Sequence, residues 1–226
     1  MSNTAFVFVL ILILGFLNRD NYGNTGIDSY DYYGITIILF TILNVAMTAS
    51  NSFMEKTLKS SNMRVIFSPV PRGFIYLSKI FATFLFTSAC VIINICATGW
   101  LLDVNFGGEN IGYVILLLLL FDLLSSTLGV MLCCIFKSEE ATNQIQSVFI
   151  NIFAILGGIF FQLDGFGEFV RKLTYISPVK WMLEAVLRII YDNDFSFFLP
   201  AISGLSVLTL IFIAICKMTF RTEDYI

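Results

Sequence analysis

Histidine is absent from the 226-residue chain, and only 13% of its residues are charged. Without an imidazole, the commonest general base and zinc ligand at neutral pH is missing, which argues against a His-based catalytic or metal site. Cysteine is sparse, and Cys90, Cys96, Cys133, Cys134 and Cys216 all fall inside apolar runs, so a disulfide framework is not expected either. No G-x-x-x-x-G-K-[ST] loop occurs, and without that phosphate cradle no nucleotide chemistry is expected of this chain. Internal repeats and low-complexity linkers are lacking too. What the chain has instead is 58% hydrophobic residues and a mean hydropathy of +0.87, far above a soluble domain. Such a composition describes a polytopic membrane protein.

Apolar runs set the expected spans, because a helix satisfies its own backbone where lipid offers no partners. The expected fold is all-α, a single transmembrane domain over 1–226 with about six spans, at 5–17, 32–53, 75–102, 111–136, 145–163 and 195–216. The first is short for a ~30 Å hydrocarbon core. It lacks the positive flank and small-residue cleavage site of a signal peptide, so it reads as a short or tilted span, or one missing its natural start. Tyr30, Tyr32 and Tyr33 open the second span and Trp100 closes the third, as interfacial aromatics do. Asp164 to Asp194 is helical in period but too charged for lipid. It is expected to form one or two short external helices on or dipping into the surface, broken at Ser177–Pro178.

Charge sets the orientation. The side carrying the Glu55–Lys79 loop, the Lys137 loop and the tail holds eight Lys/Arg against five Asp/Glu, while the other holds five against ten. The positive-inside rule then puts both termini and that loop in the cytoplasm.

The segment EKTLKSSNMRVIFSPVPRGFIYLSK, Glu55 to Lys79, is the one long basic stretch between spans. Met54, Leu58, Ser61 and Val65 share one face at helical spacing, with Lys56, Lys59 and Arg64 elsewhere, so a short amphipathic helix is expected. Ser68 and Pro69 supply an N-cap and a first-turn proline for the helix entering span three. Its cations suit either anionic lipid headgroups or a docking partner.

This segment, through SPVPRGFIYLSKI, resembles the permease subunits of ABC-type-2 exporters. So do SEEATNQIQSVFINIFAILGGIFFQLDGF and LTYISPVKWMLEAVLRIIY, with a Pro-x-x-Trp step at Pro178 to Trp181 before the last span. Family members usually carry an amphipathic helix before the first span, and many carry a large external domain after it. This chain begins almost inside the first span and has only the short loop Asn18–Asp31.

The resemblance implies a permease that moves a substrate by alternating access, driven by a separate ATPase subunit that carries ATP and Mg. It also implies a second permease copy or a paralogue, and a bacterial plasma membrane; no nucleic acid is expected. The ATPase would dock at about Lys56 to Phe67. Lys56, Lys59, Arg64 and Arg72 would meet acidic or backbone acceptors, Leu58 and Val65 would pack, and Pro69 would open the helix beyond. Drugs, antimicrobial peptides, lipids and glycans all remain open as substrate. A non-transporting sensor or immunity protein on the same fold is the alternative. An intramembrane enzyme is disfavoured, since Asp122 has no second acid or base at mid-span.

Polar residues within the spans complete the reading. Asp122 and Asn44 each lie roughly 16 Å from the same external surface, so they can meet, either in a substrate path or as hydrogen-bonded packing. Asn151, Phe153 and Phe160 are further path candidates. Phe149 and Phe161 join the two phenylalanines as a possible aromatic gate, with lipid-facing rings as the bland alternative. Asp122, Ser125, Ser126, Gly129 and Cys133 give the fourth span a small or polar face, and Ala154 and Gly158 give the fifth a small pair for close packing. Single cysteines introduced at Asn62 and Thr25 in a cysteine-free background are expected to label from opposite sides of the membrane; same-side labelling would overturn this topology.

Overall fold

Capping and side-chain competition decide where the helices start and stop. The structure is a computed structural model that describes residues 4–19, 27–54, 71–160 and 167–220. Within them every regular element is helical. Helix α1, Thr4–Leu17, is apolar throughout, and its 14 residues rise only about 21 Å. It buries Val7 and Ile11 against Ile37 and leaves Phe6 and Phe16 facing outward.

Helix α2, Ser29–Leu43, starts where Asp28 accepts a hydrogen bond from the Ser29 amide at 2.9 Å. The Ser29 hydroxyl donates to Gly15 O at 2.9 Å, tying α2 to α1. At Asn44 the helix breaks, and α3, Val45–Met54, takes over. The two helices together make one segment of span length, Ser29–Met54, around the expected 32–53. At the step between them the Asn44 side chain and backbone N–H both donate to Phe40 O, at 2.7 and 3.0 Å.

Helix α4, Arg72–Leu102, has 31 residues, about 46 Å long, and ends on Asp103 in the left-handed conformation. Helix α5, Ile111–Phe136, follows a 3-10 turn and has the bounds expected of the fourth span. Helix α6, Glu139–Leu156, differs from the expected 145–163. Ser138 caps it, accepting from the Ala141 amide at 3.5 Å, and Glu139 and Glu140 suit its N-terminal dipole. It stops at Gly157, and Gly158 turns with φ 79°. The apolar letters continue beyond that point, but the helix does not.

Among the described residues four segments are long and apolar enough to cross a membrane: Ser29–Met54, Gly73–Leu102, Gly108–Phe136 and Phe198–Thr219. Helices α1 and α6 are the shorter or more polar counterparts of the other two expected spans.

Helices α7, Glu168–Thr174, and α8, Pro178–Leu187, lie between α6 and the last helix, α9, Phe198–Thr219. The break at Ser177–Pro178 is present, with Ser177 capping α8 and Pro178 in its first turn. Helix α7 is a surface element, with Phe169 exposed and an exposed Glu168–Lys172 ion pair. Helix α8 is not. Val179, Met182 and Val186 are fully buried, and α8 packs against α2, α5, α6 and α9. Its ion pair Glu184–Arg188 sits at i,i+4 on the opposite face. The charge of the whole segment thus concealed an amphipathic stripe.

Helix α5 packs against α2, α3, α4, α6, α8 and α9 and is the hub of the bundle. Its approach to α3 is closest at Gly129, where an added Cβ would collide with the Ala46 carbonyl and the Ala49 side chain. At Gly112, on the same helix, a Cβ would meet nothing within 4 Å. Gly129→Ala is therefore expected to destabilise the protein in nanodiscs by about 1–3 kcal/mol. Gly112→Ala should be neutral or slightly stabilising; equal melting temperatures for the two variants would contradict the close crossing.

Candidate functional site

Asp122 is fully buried between α5 and α4. Thr87 Oγ1 lies 2.9 Å from both carboxyl oxygens, and Ser88 Oγ lies 2.8 Å from Oδ2. Thr87 Oγ1 is also 2.8 Å from Thr83 O, so its one proton has acceptors on both sides. Thr87 and Ser88 both donate to the Asp122 carboxyl, Thr87 facing both oxygens and Ser88 facing Oδ2.

The expected Asp122–Asn44 pair does not form, because Asn44 is turned back onto Phe40 O. The missed signal was the Thr87-Ser88 step in the middle of the third span, two hydroxyls at the depth of Asp122.

One turn further along α5, a cavity of about 130 Å³ opens among Leu43, Phe121, Ser125, Leu128, Phe153 and Phe212, beside Pro178. Its walls are apolar except for Ser125, whose hydroxyl is buried and has no hydrogen-bond partner. Such an orphan costs roughly 1–3 kcal/mol.

The path candidates are therefore separated. Phe153 lines the cavity, and Asn44 follows Leu43 of its wall at the α2–α3 break. Asn151 is exposed on the outer face of α6. Phe160 is also exposed and stacks edge-on with Phe40, centroids 5.6 Å apart, while Phe149 pairs with Phe153 at 5.9 Å. Phe161 lies outside the described residues. So do Lys56, Leu58, Lys59, Arg64, Val65 and Pro69; Arg72 opens α4.

The elements that flank residues 55–70 are fastened together. Lys79 Nζ donates to Ser52 O at 3.1 Å, placing a cation at the C-terminal turn of α3. Phe53 and Tyr76 both pack on the Phe220 ring, at 6.1 and 5.7 Å. One turn deeper, Ser50 Oγ donates to Gln146 Oε1 at 2.9 Å and joins α3 to α6.

The opposite end is held by polar contacts. Tyr191 Oη donates to Asp31 Oδ2 at 2.6 Å, and the Asn105 amide donates to Asp31 Oδ1 at 2.8 Å. Burial and then the neighbouring Asp31 carboxylate push the Tyr191 phenol above its ordinary range. Tyr32 Oη reaches Gly158 O at 2.6 Å, and Ser177 Oγ reaches Phe153 O at 2.8 Å, so carbonyls at the end of α6 are satisfied by other elements.

The described residues thus form an all-helical bundle with four helical segments long and apolar enough to cross a membrane. The chain matches the family described as ABC-2 type transporter over residues 1–191, and it belongs to that family. It is also 24% identical, over 156 residues, to the linearmycin resistance permease protein LnrN of Bacillus subtilis (strain 168). The aligned part is 69% of this chain and 40% of that protein, so the chain spans well under half of the relative's length.

The hydroxyl pair at Asp122 gives a direct test. Asp122→Leu, which removes the acceptor that Thr87 and Ser88 share, is expected to lose about 1–3 kcal/mol in the thermal unfolding of the protein in nanodiscs. Adding Thr87→Val and Ser88→Ala to that variant should recover most of the loss; a loss that the two replacements leave unchanged would show that the hydroxyls do not bond Asp122.

Proposed function

We propose that the chain is the membrane-spanning permease subunit of an ATP-driven ABC exporter, working by alternating access with a separate ATPase that binds ATP and Mg. Membership of the ABC-2 type transporter family carries the reading. The mechanical support is the clasp around residues 55–70. Because Lys79 holds the end of α3 and Ser50 joins α3 to α6, a push on the segment would displace α3, α4 and α6 together. Lys56, Lys59, Arg64 and Arg72 would bind acceptors on the ATPase, with Leu58 and Val65 packing against it and Pro69 setting the exit. On this reading the spans lie in the plasma membrane of a bacterial cell, with both termini in the cytoplasm. A second permease copy or a paralogue completes the export path, to which Asn44, Asp122, Asn151, Phe153 and Phe160 are assigned.

The relative is named for linearmycin resistance. By extension, a drug or other antimicrobial compound is favoured here over a lipid or a glycan. Exposed aromatic and aliphatic side chains on α6, including Phe149, Ile152 and Ile155, suit a hydrophobic or amphipathic cargo.

Combined charge reversal, Lys59→Glu with Arg64→Glu, should weaken co-purification of the ATPase by at least about tenfold. It should also abolish efflux while the permease still inserts. Unchanged association and efflux would refute the docking site, and full activity without any ATPase would favour a sensor or immunity role.

A further inference from the structure

Helix α7 presents an apolar face that no other described element covers. Phe169 is 78% exposed, Leu173 39% and Ile176 62%. Spacings of four and three residues put them in one line, which the Ile176 amide, donating to Leu173 O at 3.1 Å, carries one step past the helix end. The cations lie off that line. Lys172 pairs with Glu168 at 3.6 Å with both side chains exposed, and the Arg171 guanidinium has no ion-pair partner among the described residues. Depth follows from the neighbours. Ile176 and Pro178 wall the same cavity as Phe121 and Leu208, which stand ten residues into α5 and α9, so the turn after α7 lies roughly 15 Å below the ends of those helices on the Asp31 side. The polar layer of a bilayer is about 5–7 Å deep on each side. The turn therefore sits at acyl depth, and α7, about 10 Å long, bridges from there to the headgroups.

We infer that α7 is a docking site for an anionic phospholipid of that leaflet, with acyl chains against Phe169, Leu173 and Ile176 and the headgroup phosphate on Arg171 and Lys172. Continuity and charge select this occupant. Helix α9, on which α8 packs, leaves Leu199, Val207 and Leu210 exposed, so the stripe of α7 extends a surface already apolar enough for acyl chains. Basic side chains beside such a stripe reach up to the phosphate layer with their stems in the apolar zone. An exposed Glu–Lys pair is weak and can be exchanged for a phosphate, which arginine binds through paired N–H groups. Residues 168–188 hold Arg171, Lys172, Lys180 and Arg188 against Glu168 and Glu184, so the headgroup they attract is anionic. The inference needs only that the long apolar helices cross a membrane. It does not rest on transport, on an ATPase or on a second copy.

The test places a reporter on the stripe with Phe169→Trp, using the full chain in nanodiscs and reading the difference from the parent protein, whose own tryptophans are Trp100 and Trp181. The bilayer is phosphatidylcholine with a minor share of phosphatidylglycerol, and bromine is carried on the acyl chains either of that share or of an equal share of the phosphatidylcholine. Brominated phosphatidylglycerol is expected to quench the reporter at least about fivefold more per mole, the selectivity of one basic side chain near a membrane surface, and aqueous iodide to quench it weakly. Arg171→Gln with Lys172→Gln should bring the two brominated lipids to parity while acyl quenching persists. The replaced side chains are exposed, so the fold does not depend on them. Equal quenching by both lipids before those replacements, or a selectivity that survives them, would refute the phosphate site. Quenching by iodide alone would put the stripe in water, and quenching by none of the three would mean that a protein covers it; either result sinks the inference.

Discussion

The close crossing of α5 over α3 at Gly129 is the constraint on which the bundle depends. Lipid tails are as apolar as the side chains they would replace, so helices in a membrane associate through packing and hydrogen bonds rather than through exclusion of water. Gly129 lets α5 approach the α3 backbone at Ala46, and from that line of contact the other neighbours of α5 take their places. Helix α4 comes in on the Asp122 side, and α9 on the side of Cys133 and Cys134. The small face of the fourth span thus has a concrete purpose. It brings two backbones together and carries one buried acid to hydroxyl donors on a third helix.

Around that hub the polar groups fall into two kinds. Asp122 with Thr87 and Ser88 is a closed set in which each proton has an acceptor. Ser50, Asn143 and Gln146 form a looser set, in which Ser50 reaches two side chains while Gln146 Nε2 has no partner. A closed set specifies one arrangement of helices, whereas an incomplete one leaves a group whose best partner can change. The incomplete set lies between α6 and the helix that leads into residues 55–70.

Much of this was legible in the letters. The third and fourth spans are long apolar runs, and α4 and α5 follow them closely although Asn94, Thr98 and Thr127 each bond a carbonyl one turn back. The second span is legible as one apolar run, and α2 and α3, which meet at Asn44, together fill it. The fifth was misplaced, since the letters after Gly157 remain apolar while the backbone at Gly158 turns away. The insertion of α8 was hidden by averaging charge over a segment whose charges share one face. The family resemblance was legible from motif order. The Asp122 partners were not, because pairing between helices depends on rotation and register, which a single sequence leaves open.

Helix α6, with 18 residues, ends at Gly157 and is shorter than the 26-residue α5 beside it. Its final carbonyls are held by Tyr32 and Ser177, one hydroxyl each, and the surrounding loops are joined by Tyr191 to Asp31 and by Asn110 to Asn193. Rings lock that end as well, where Tyr113, Phe195 and Phe198 stack on one another. At the other end the Lys79–Ser52 hydrogen bond stands beside the rings of Phe53, Tyr76 and Phe220. Each tip of the bundle is thus clamped by rings and hydrogen bonds together, so the described helices are pinned at both ends rather than hinged at one.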